Sequence, residues 1–512
     1  MRSFICLLFI LIGTNTFSQE IKFRVLGQGD TTVNLVRYFG KGLYYSDTAQ
    51  IKKGMVTFDG SKQKPGILAL YLPGNRMLEF VYNNEDIYIE TRFPDIMKLA
   101  EVKKSAENKI FFEYVHYLGD EREKTLAMQE DLKKLTIDSD EYKALQEKIK
   151  AASGNVKAYQ LNLIAKNPDK LVSKIIKMSM DVEIPEAPKD KKGNIIDSNY
   201  QFNYYRAHYW DNVDFTDDRL VRTPIFHNKL EKFFSKDMMI QHWDTVIHYG
   251  FEVCDKLNQK SDMFQYTVSW ITSEYEKSKI MGMDKVFVRM GERYYCSTNE
   301  EGKSPAFWMT EKQLEKLCDR VKELQNTVLG IVPPNIILRD TTDVTWRDLY
   351  SLESEYTILY FWDPECGHCK KVTPKLQTLY AEKFRDRNIE IFAVGKAVGE
   401  DFEKWKAFIK KNNLEFINVA VTDKMYSMAM EDARQLVPRY TTLESLNYQQ
   451  TFDVFTTPKV IILNKNKEII GKSLSISQIE EMLDRLQGKA DAKKLFPISE
   501  EPKDERDQQT SH

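Results

Sequence analysis

The sequence predicts a multidomain α+β protein with a small N-terminal β-sandwich at residues 19–97, a helical region at 98–328 and a C-terminal α/β domain at 329–488. Three observations predict this class. The chain has 512 residues, which exceeds one ordinary domain. Short strand-like apolar runs give way, after about residue 97, to apolar residues at helical spacing. From residue 357 onward, apolar strand-like runs alternate with helical stretches.

The composition is that of a soluble globular protein, with 42% hydrophobic and 29% charged residues. Lys and Arg total 74 and Asp and Glu total 76, so the net charge is -2. This balance provides no electrostatic basis for binding nucleic acid or an anionic membrane surface. We therefore expect no nucleic-acid partner.

Residues 1–18 have the pattern of a signal peptide. Arg2 gives a positive start, residues 4–12 form an unbroken apolar run, and small residues precede Gln19. The run is too short to cross a bilayer as a helix, and a buried N-terminal helix or strand is the alternative. We predict cleavage after Ser18 and a soluble mature protein that is periplasmic or associated with the envelope, where disulfides form.

The β-sandwich is predicted from strand-like runs that Gly, Asp and Asn turn residues separate. These runs lie at residues 21–26, 34–38, 67–72, 77–82 and 87–91. Six or seven such short strands predict an antiparallel sandwich. We interpret Asp47 and Asp59 as turn residues rather than as acids or ligands.

The helical region is predicted from apolar residues at helical spacing and from long stretches rich in Lys, Glu, Leu and Ala. The predicted helices lie at residues 107–118, 121–152, 156–164, 171–178, 226–234, 243–257, 263–278 and 311–324, with a charged, proline-containing loop at 184–199. His242 and His248 fit neither face of a helix, and no Cys or carboxylate pattern completes a site around them. We therefore predict no metal and no other cofactor.

The C-terminal domain follows a linker at residues 330–343 that contains a Pro pair. Its predicted strands are residues 357–362, 390–394, 454–463 and 468–470, and its predicted helices include 401–410 and 476–486. Pro458 interrupts the third of these strands, which a core strand tolerates when the bond is cis. Residues 489–512 are charged and polar and are predicted to be a disordered tail.

Six cysteines are present, and only Cys366 and Cys369 are close in sequence. Cys6 leaves with the predicted signal peptide. Cys254, Cys296 and Cys318 are scattered, and the simplest interpretation is that they are small buried hydrophobic residues. A Cys254–Cys296 or Cys296–Cys318 disulfide is the alternative.

The Cys366-Gly-His-Cys369 segment follows the apolar run at 357–362 and precedes a helical pattern, so it lies at a strand-to-helix junction. The free amide donors at a helix N-terminus favour an anion and lower the pKa of a thiol there. We predict that Cys366 is exposed and nucleophilic, and that Cys369, one turn further on, resolves the mixed disulfide. A protonated His368 would stabilise the Cys366 thiolate further.

Half of a zinc site is the alternative interpretation of this segment, and it needs a second Cys or His pair nearby. No Cys follows Cys369, and the only later histidine is the terminal His512. The sequence therefore favours redox chemistry over metal binding.

The order Phe-Trp-x3-Cys-Gly-His-Cys-Lys, then Pro374, Thr457–Pro458, a hairpin and a terminal helix resembles the thioredoxin superfamily. It looks closest to secreted TlpA/ResA-like members, over roughly residues 331–487. The N-terminal segments resemble uncharacterised domains that are fused ahead of such domains. The C-terminal domain is therefore expected to have a thioredoxin fold.

The resemblance implies a cis Thr457–Pro458 bond that faces the dithiol, with Pro458 in the catalytic set. It also implies substrate contacts at Thr457, Trp362 and Gly367. The sequence departs from the superfamily pattern at three places, which carry Glu365, Tyr360 and Val372. Glu365 stands where thioredoxins usually carry Trp, Tyr360 where they often place a buried Asp, and Val372 where ResA-like proteins carry Glu. No obvious carboxylate therefore deprotonates Cys369.

Two functions follow from the sequence. The first is a thiol:disulfide oxidoreductase, a reductase or isomerase, that acts on secreted or periplasmic proteins. Its partners would be protein thiols and disulfides and a membrane or periplasmic redox partner. The second is an envelope binding or scaffold protein whose dithiol is regulatory or vestigial. We expect the N-terminal region to select partners without catalysis of its own, with homodimerisation as one way to do so.

Overall fold

The structure is a computed structural model that describes residues 19–137 and 139–497. Contacts within these residues divide the chain into two compact units. One contains the chain up to Ile240 with Glu252–Thr267, and the other contains Gln241–Phe251 and the chain from Val268 onward. The predicted multidomain α+β class is confirmed, since two sheets come first in the chain, helices follow, and a third sheet comes last. The predicted signal peptide lies outside the described residues.

The N-terminal sheets contain eight strands. They are β1 (Glu20–Leu26), β2 (Thr31–Phe39), β3 (Gly42–Ile51), β4 (Met55–Asp59), β5 (Gly66–Leu72), β6 (Arg76–Tyr82), β7 (Ile87–Arg92) and β8 (Glu101–Lys104). The two sheets have the strand orders β4-β1-β7-β8 and β3-β2-β5-β6. Phe23 of one sheet and Phe80 of the other pack with ring centroids 5.2 Å apart, as in a sandwich core.

The sequence prediction is corrected in two respects here. The sandwich is not purely antiparallel, because β1 pairs in parallel with β7. Strands β3, β4 and β8 were not predicted. In β3 the consecutive side chains of Leu43, Tyr44 and Tyr45 are all exposed, so the alternation that marks a half-buried strand is missing there.

Between β8 and the third sheet, the described chain forms nine helices of eight or more residues. They are α1 (Ala106–Leu132), α2 (Asp140–Lys166), α3 (Leu171–Ser179), α4 (Tyr200–His208), α5 (Pro224–Phe233), α6 (Trp243–Asp255), α7 (Asp262–Glu276), α8 (Asp284–Tyr294) and α9 (Glu311–Gln325). The single helix predicted over 121–152 is wrong, since the chain turns between α1 and α2. Ser139 Oγ accepts a hydrogen bond from Tyr142 N at 3.1 Å and so begins a new helix.

A third sheet organises the C-terminal domain, with the strand order β10-β9-β13-β12-β11-β14-β15. Its strands are β9 (Ile337–Asp340), β10 (Trp346–Asp348), β11 (Tyr356–Trp362), β12 (Ile389–Gly395), β13 (Ile417–Ala420), β14 (Lys459–Asn464) and β15 (Ile469–Lys472). Its helices are α10 (Gly367–Leu379), α11 (Asp401–Lys411), α12 (Asp423–Asp432), α13 (Leu443–Leu446), α14 (Tyr448–Thr451) and α15 (Ile476–Leu486).

The central strand β11 is buried on both faces, which explains its unbroken apolar sequence. Tyr360 and Trp362 belong to one apolar core, and Leu359 and Phe361 belong to the core on the opposite face of the sheet. β11 pairs in parallel with β12 and antiparallel with β14. Strand β11, which leads to the cysteines, is therefore held by a strand on each edge and by an apolar core on each face.

Three expectations about the C-terminal region are corrected. The predicted linker at 330–343 contains β9, which pairs with β13. The strand predicted at 454–463 begins only at Lys459, after Pro458. The tail predicted to be disordered from 489 is held at its start, because Glu480 accepts hydrogen bonds from the backbone of Leu495 and Phe496 at 2.8 and 2.9 Å. Residues 498–512 lie outside the described part.

A disulfide joins Cys296, which follows α8, to Cys318 of α9. The interpretation of these two cysteines as separate buried hydrophobic residues is therefore wrong, and the alternative Cys296–Cys318 pairing is the one observed. Cys254 is buried in α6. The disulfide fixes α9 against the end of α8.

Candidate active site

The Cys366-Gly-His-Cys369 segment lies where β11 ends and α10 begins, as the sequence predicts. The Asp363 side chain accepts a hydrogen bond from Glu365 N at 2.7 Å and so turns the chain after the strand. Cys366 precedes the first residue of α10 with extended backbone angles, and its carbonyl accepts from Lys370 N at 3.0 Å. The first free amide groups of α10 therefore point toward the Cys366 side chain.

The Cys366 thiol is partly exposed, and its Sγ lies 3.3 Å from the carbonyl oxygen of Thr457. Partial burial raises the pKa of this thiol. The backbone N–H groups of Cys369 and His368 and hydrogen bonds from the side chains of Thr457 and Cys369 lower it, and the net pKa is below the ordinary value. Cys366 is therefore the thiol that ionises first, which is the property of a nucleophilic cysteine.

Cys369 has the opposite environment. Its side chain is fully buried in the core between β11 and α10. Burial raises the pKa of the Cys369 thiol to about 12, although the backbone N–H of Asp363 acts against this rise. Cys369 therefore stays protonated in the dithiol and donates a hydrogen bond to the Cys366 thiolate. The two thiols thus differ in exposure and in pKa. The predicted roles of Cys366 as nucleophile and Cys369 as shielded partner require this difference.

The Thr457–Pro458 peptide bond is cis, as the resemblance implies. β14 begins at Lys459, immediately after it, and Lys459 pairs with Phe361 near the end of β11. This strand pairing brings Thr457 and Pro458 beside the cysteines, which are 91 residues away in sequence. Both residues are partly exposed, so the backbone of Thr457 is accessible next to Cys366.

The other predicted site residues differ in their exposure. Gly367 and His368 are exposed on the first turn of α10. Trp362 has only 1% of its surface exposed, and its ring packs against Phe408 at 5.2 Å between centroids. The Trp362 side chain is thus part of the core. It reaches the predicted substrate region only where it lines a neighbouring cavity.

That cavity has a volume of about 220 Å³ and adjoins Thr457. Its lining includes Trp362, Asp363, Lys396, Tyr448, Phe455 and Thr457. Lys396 Nζ lies 3.5 Å from the Asp363 carboxylate and 3.0 Å from that of Asp401. Sequence analysis missed Lys396 and Phe455, because neither belongs to a motif and strand pairing alone brings them to this place.

Tyr360 occupies the position where a buried carboxylate would stand in the superfamily pattern. Its side chain is fully buried, and its hydroxyl is 2.8 Å from the hydroxyl of Thr373, which is also fully buried. Burial raises the pKa of Tyr360, and the negative charge of an ionised Cys369 raises it further. Tyr360 therefore stays neutral and does not act as a base for Cys369.

Removing the Tyr360 hydroxyl is expected to destabilise the fold without changing the thiols. Tyr360→Phe leaves the buried Thr373 hydroxyl without this partner and should lower the free energy of unfolding by about 1–3 kcal/mol. The double variant Tyr360→Phe/Thr373→Val should recover most of this loss, because neither polar group then remains. Denaturant unfolding measures both, and additive losses would contradict the account.

Limited alkylation of the reduced protein is expected to label Cys366 before Cys369. The rate at Cys366 should fall as the pH drops through its lowered pKa, since the thiolate is the reacting form. Cys369, with a pKa of about 12, should stay unlabelled at neutral pH. Peptide mapping after short exposure to iodoacetamide measures this, and preferential labelling of Cys369 would refute the assignment.

Metal-binding clusters and membrane-spanning helices are both absent from the part of the chain that the structure describes. Within it, no group of three or more His, Cys, Asp or Glu side chains is arranged to hold a metal ion. Its helices include none with the length and apolar character needed to cross a membrane. The absence of a cofactor stays a prediction.

Three family models match the chain. One described as thioredoxin-like matches residues 354–469. Two described as domains of unknown function match residues 19–111 (DUF4369) and 140–326 (DUF5106). No curated protein matches the chain significantly. The resemblance of the N-terminal segments to uncharacterised domains is thus confirmed.

Similar solved structures include a domain of a possible thiol-disulfide isomerase from Cytophaga hutchinsonii. Its sequence identity is 30%, the match covers 32% of this chain and 97% of that chain, and the TM-score is 0.25. A thioredoxin-like protein from Bacteroides caccae has 16% identity, covers 59% of this chain and 98% of its own, and has a TM-score of 0.39. A thiol:disulfide interchange protein from Bacteroides sp. has 19% identity, 33% and 95% coverage, and a TM-score of 0.25.

The thioredoxin-like match runs from just before β11 to the start of β15, and so encloses both cysteines and the cis Thr457–Pro458 bond. The C-terminal domain of the chain is therefore a thioredoxin-like domain.

Proposed function

We propose that this protein is a thiol–disulfide oxidoreductase that reduces or isomerises disulfides of secreted or periplasmic proteins. The observation that carries the proposal is the asymmetry of the two thiols. Cys366 is accessible and has a lowered pKa, whereas Cys369 is buried and has a pKa of about 12. Thiols with strongly different pKa values in one exposed site are typical of functional sites, so the asymmetry favours a redox role over a vestigial dithiol.

The reaction follows from this asymmetry. The Cys366 thiolate attacks one sulfur of a substrate disulfide, and the bond between the two substrate sulfurs breaks. The first substrate thiolate leaves and takes up a proton from solvent. Cys369 then attacks Cys366 Sγ and breaks the mixed disulfide, and the departing second substrate sulfur receives the proton that Cys369 gives up, directly or through water, so that it leaves as a thiol. Two electrons pass to the substrate, and the Cys366–Cys369 disulfide forms.

The accessible backbone of Thr457 supports a polypeptide as the substrate. Its carbonyl lies 3.3 Å from Cys366 Sγ, close enough that a peptide bonded to it would hold a disulfide against the nucleophile. An extended segment can pair with the backbone of Thr457 as strands pair in a sheet. Protein thiols and disulfides are therefore the proposed partners, together with a membrane or periplasmic protein that reduces Cys366–Cys369 again.

An oxidising compartment is the proposed location. The pattern at residues 1–18 is that of a secretory signal, and the Cys296–Cys318 disulfide is of the kind that persists outside the cytoplasm. Proteolytic mapping of the mature N-terminus in the native host tests this part of the proposal, since retention of Met1 would exclude secretion by cleavage.

A turnover assay tests the activity. The full chain should accelerate the reduction of a disulfide-bonded polypeptide by a small dithiol reductant, well beyond an equal concentration of free cysteine. A rate equal to that of free cysteine would exclude catalysis and leave the binding or scaffold role. Scrambled substrate with mispaired disulfides, assayed without added reductant, distinguishes isomerisation from net reduction.

His368→Pro is expected to make the protein a stronger reductant. Proline removes the imidazole and also the backbone N–H that stabilises the Cys366 thiolate. A less stable thiolate makes the reduced form less stable, so the reduction potential should fall by roughly 30 mV, which corresponds to about 1.4 kcal/mol. Glutathione titration measures it, with His368→Ala as the control that keeps the N–H and should show a smaller fall. An unchanged or higher potential in His368→Pro would contradict the account.

A further inference from the structure

The segment between α14 and β14 carries Thr457–Pro458, and one residue within it has an unusual backbone. Asp453 has a φ of 52°, the left-handed region that residues other than glycine, Asn and Asp seldom adopt. Lys459 Nζ donates to the Asp453 carbonyl at 2.6 Å, across the loop that contains Thr457 and Pro458. Asp453 and Lys459 thus close the base of the loop that faces Cys366.

The Asp453 carboxylate lies between two cations. Lys459 Nζ is 3.0 Å from one of its oxygens, and the guanidinium of Arg320 donates to the other. Burial raises the pKa of Asp453, but the hydrogen bonds and charges of Arg320 and Lys459 lower it more, so the net pKa lies below its usual range. The side chains of Asp453 and Lys459 are each only 14% exposed, so water screens this pair weakly, whereas Arg320 is 35% exposed.

Arg320 comes from α9, outside the segment that matches the thioredoxin-like family. The Cys296–Cys318 disulfide holds α9 two residues before Arg320. Val321, the next residue, packs against Gly291 of α8, where any larger side chain would collide with it. A rigidly placed helix therefore presents the guanidinium to Asp453.

Arg320 also lies over the ring of Phe455, with its Cζ 5.7 Å from the ring centroid. Phe455 lines the cavity beside Thr457, yet 69% of its surface is exposed. A large exposed aromatic side chain two residues before the peptide-facing Thr457 is suited to contact an apolar side chain of a bound polypeptide. Arg320 thus touches both the base of the loop and its exposed ring.

We infer that Arg320 is a positioning residue that holds the Asp453–Pro458 loop in the form that binds polypeptide disulfides, an inference that rests on the proposed function. The preferred substrates are extended segments with an apolar side chain near the disulfide, which Phe455 contacts while Thr457 pairs with the backbone. A small disulfide needs neither contact. The helical region would then contribute to substrate selection through α9.

Arg320→Gln in the full chain tests this inference. The KM for a disulfide-bonded polypeptide should rise roughly tenfold, with kcat changed by less than about twofold, as expected when about 1.4 kcal/mol of coupling is lost from binding. The rate with a small aromatic disulfide should fall much less. Arg320→Lys keeps the charge, so its KM should lie between those of the wild type and Arg320→Gln. Lys322→Gln is the matched control, since Lys322 is 70% exposed and pairs with Asp319 on its own helix, at 3.5 Å.

A second measurement needs no catalytic activity. A displaced loop withdraws Thr457 from Cys366. Because the hydrogen bond from the Thr457 side chain lowers the pKa of Cys366, the pH midpoint of Cys366 alkylation should move upward in Arg320→Gln and stay fixed in Lys322→Gln. An unmoved midpoint with an unchanged KM overturns the role of Arg320. If Arg320→Gln loses activity equally on the polypeptide and the small disulfide and also has a lower melting temperature, Arg320 has only a structural role. That result also overturns the inference. Absence of turnover in the wild type would instead sink the proposed function.

Discussion

Cys366→Ser is expected to lower the turnover of disulfide-bonded polypeptides by about a thousandfold or more, as the loss of a nucleophile does in other covalent catalysts. A serine hydroxyl does not ionise at neutral pH and forms no mixed disulfide. Cys369 cannot replace it, because that thiol is fully buried and has a pKa of about 12. Reductant consumption under multiple turnover measures the loss.

The matched control for this substitution is Cys254→Ala, which removes a buried thiol from α6, far along the chain from the dithiol. It should turn over at nearly the wild-type rate. Thermal unfolding of both variants should show that each is folded. Substantial turnover by Cys366→Ser would mean that a group other than Cys366 carries the reaction.

Cys369→Ala is expected to complete the first half of the reaction and to stop there. Cys366 still attacks, but the resolving thiol is gone, so mixed disulfides accumulate. The loss of the Cys369 hydrogen bond also raises the pKa of Cys366 somewhat, so this first attack should be slower at neutral pH. Non-reducing electrophoresis should show substrate adducts that disappear with excess reductant.

This variant also separates the two proposed activities. Net reduction requires both sulfurs and should be lost in Cys369→Ala. Isomerisation, in which the substrate's own thiol resolves the mixed disulfide, should persist in part if it is a genuine activity of the protein. Continued reduction at the wild-type rate, without adducts, would show that Cys369 does not resolve the intermediate.

The dithiol itself could be predicted from the sequence because its determinants are local. The apolar run at 357–362, the two-residue spacing and the following helical pattern together place Cys366 at a helix N-terminus. The resemblance to the thioredoxin superfamily then implied the cis Thr457–Pro458 bond, which strand pairing of β14 with β11 places beside the cysteines. Strong local patterns and a specific motif sufficed for this part.

Features that depend on long-range contacts could not be predicted in this way. Arg320 and Asp453 are 133 residues apart, and nothing in either local sequence indicates the other. β9 has only four residues, and its pairing with β13 lies outside any local window, so the sequence there resembles a linker. Cys296 and Cys318 pair across 22 residues, but their spacing equally permitted other interpretations. The boundary predicted at residue 328 stays a prediction, although α8 and α9 lie in the same compact unit as the C-terminal sheet.

The proposed function requires that Cys366 and Cys369 form a reversible redox couple. Equilibration of the full chain in glutathione buffers of graded potential, followed by acid quenching, differential alkylation and peptide mapping, tests this requirement. We predict that Cys366 and Cys369 convert together as one two-electron couple, while Cys296–Cys318 stays oxidised across the same range. If Cys366 and Cys369 fail to pair, or if Cys296–Cys318 is the couple that titrates, the account is contradicted.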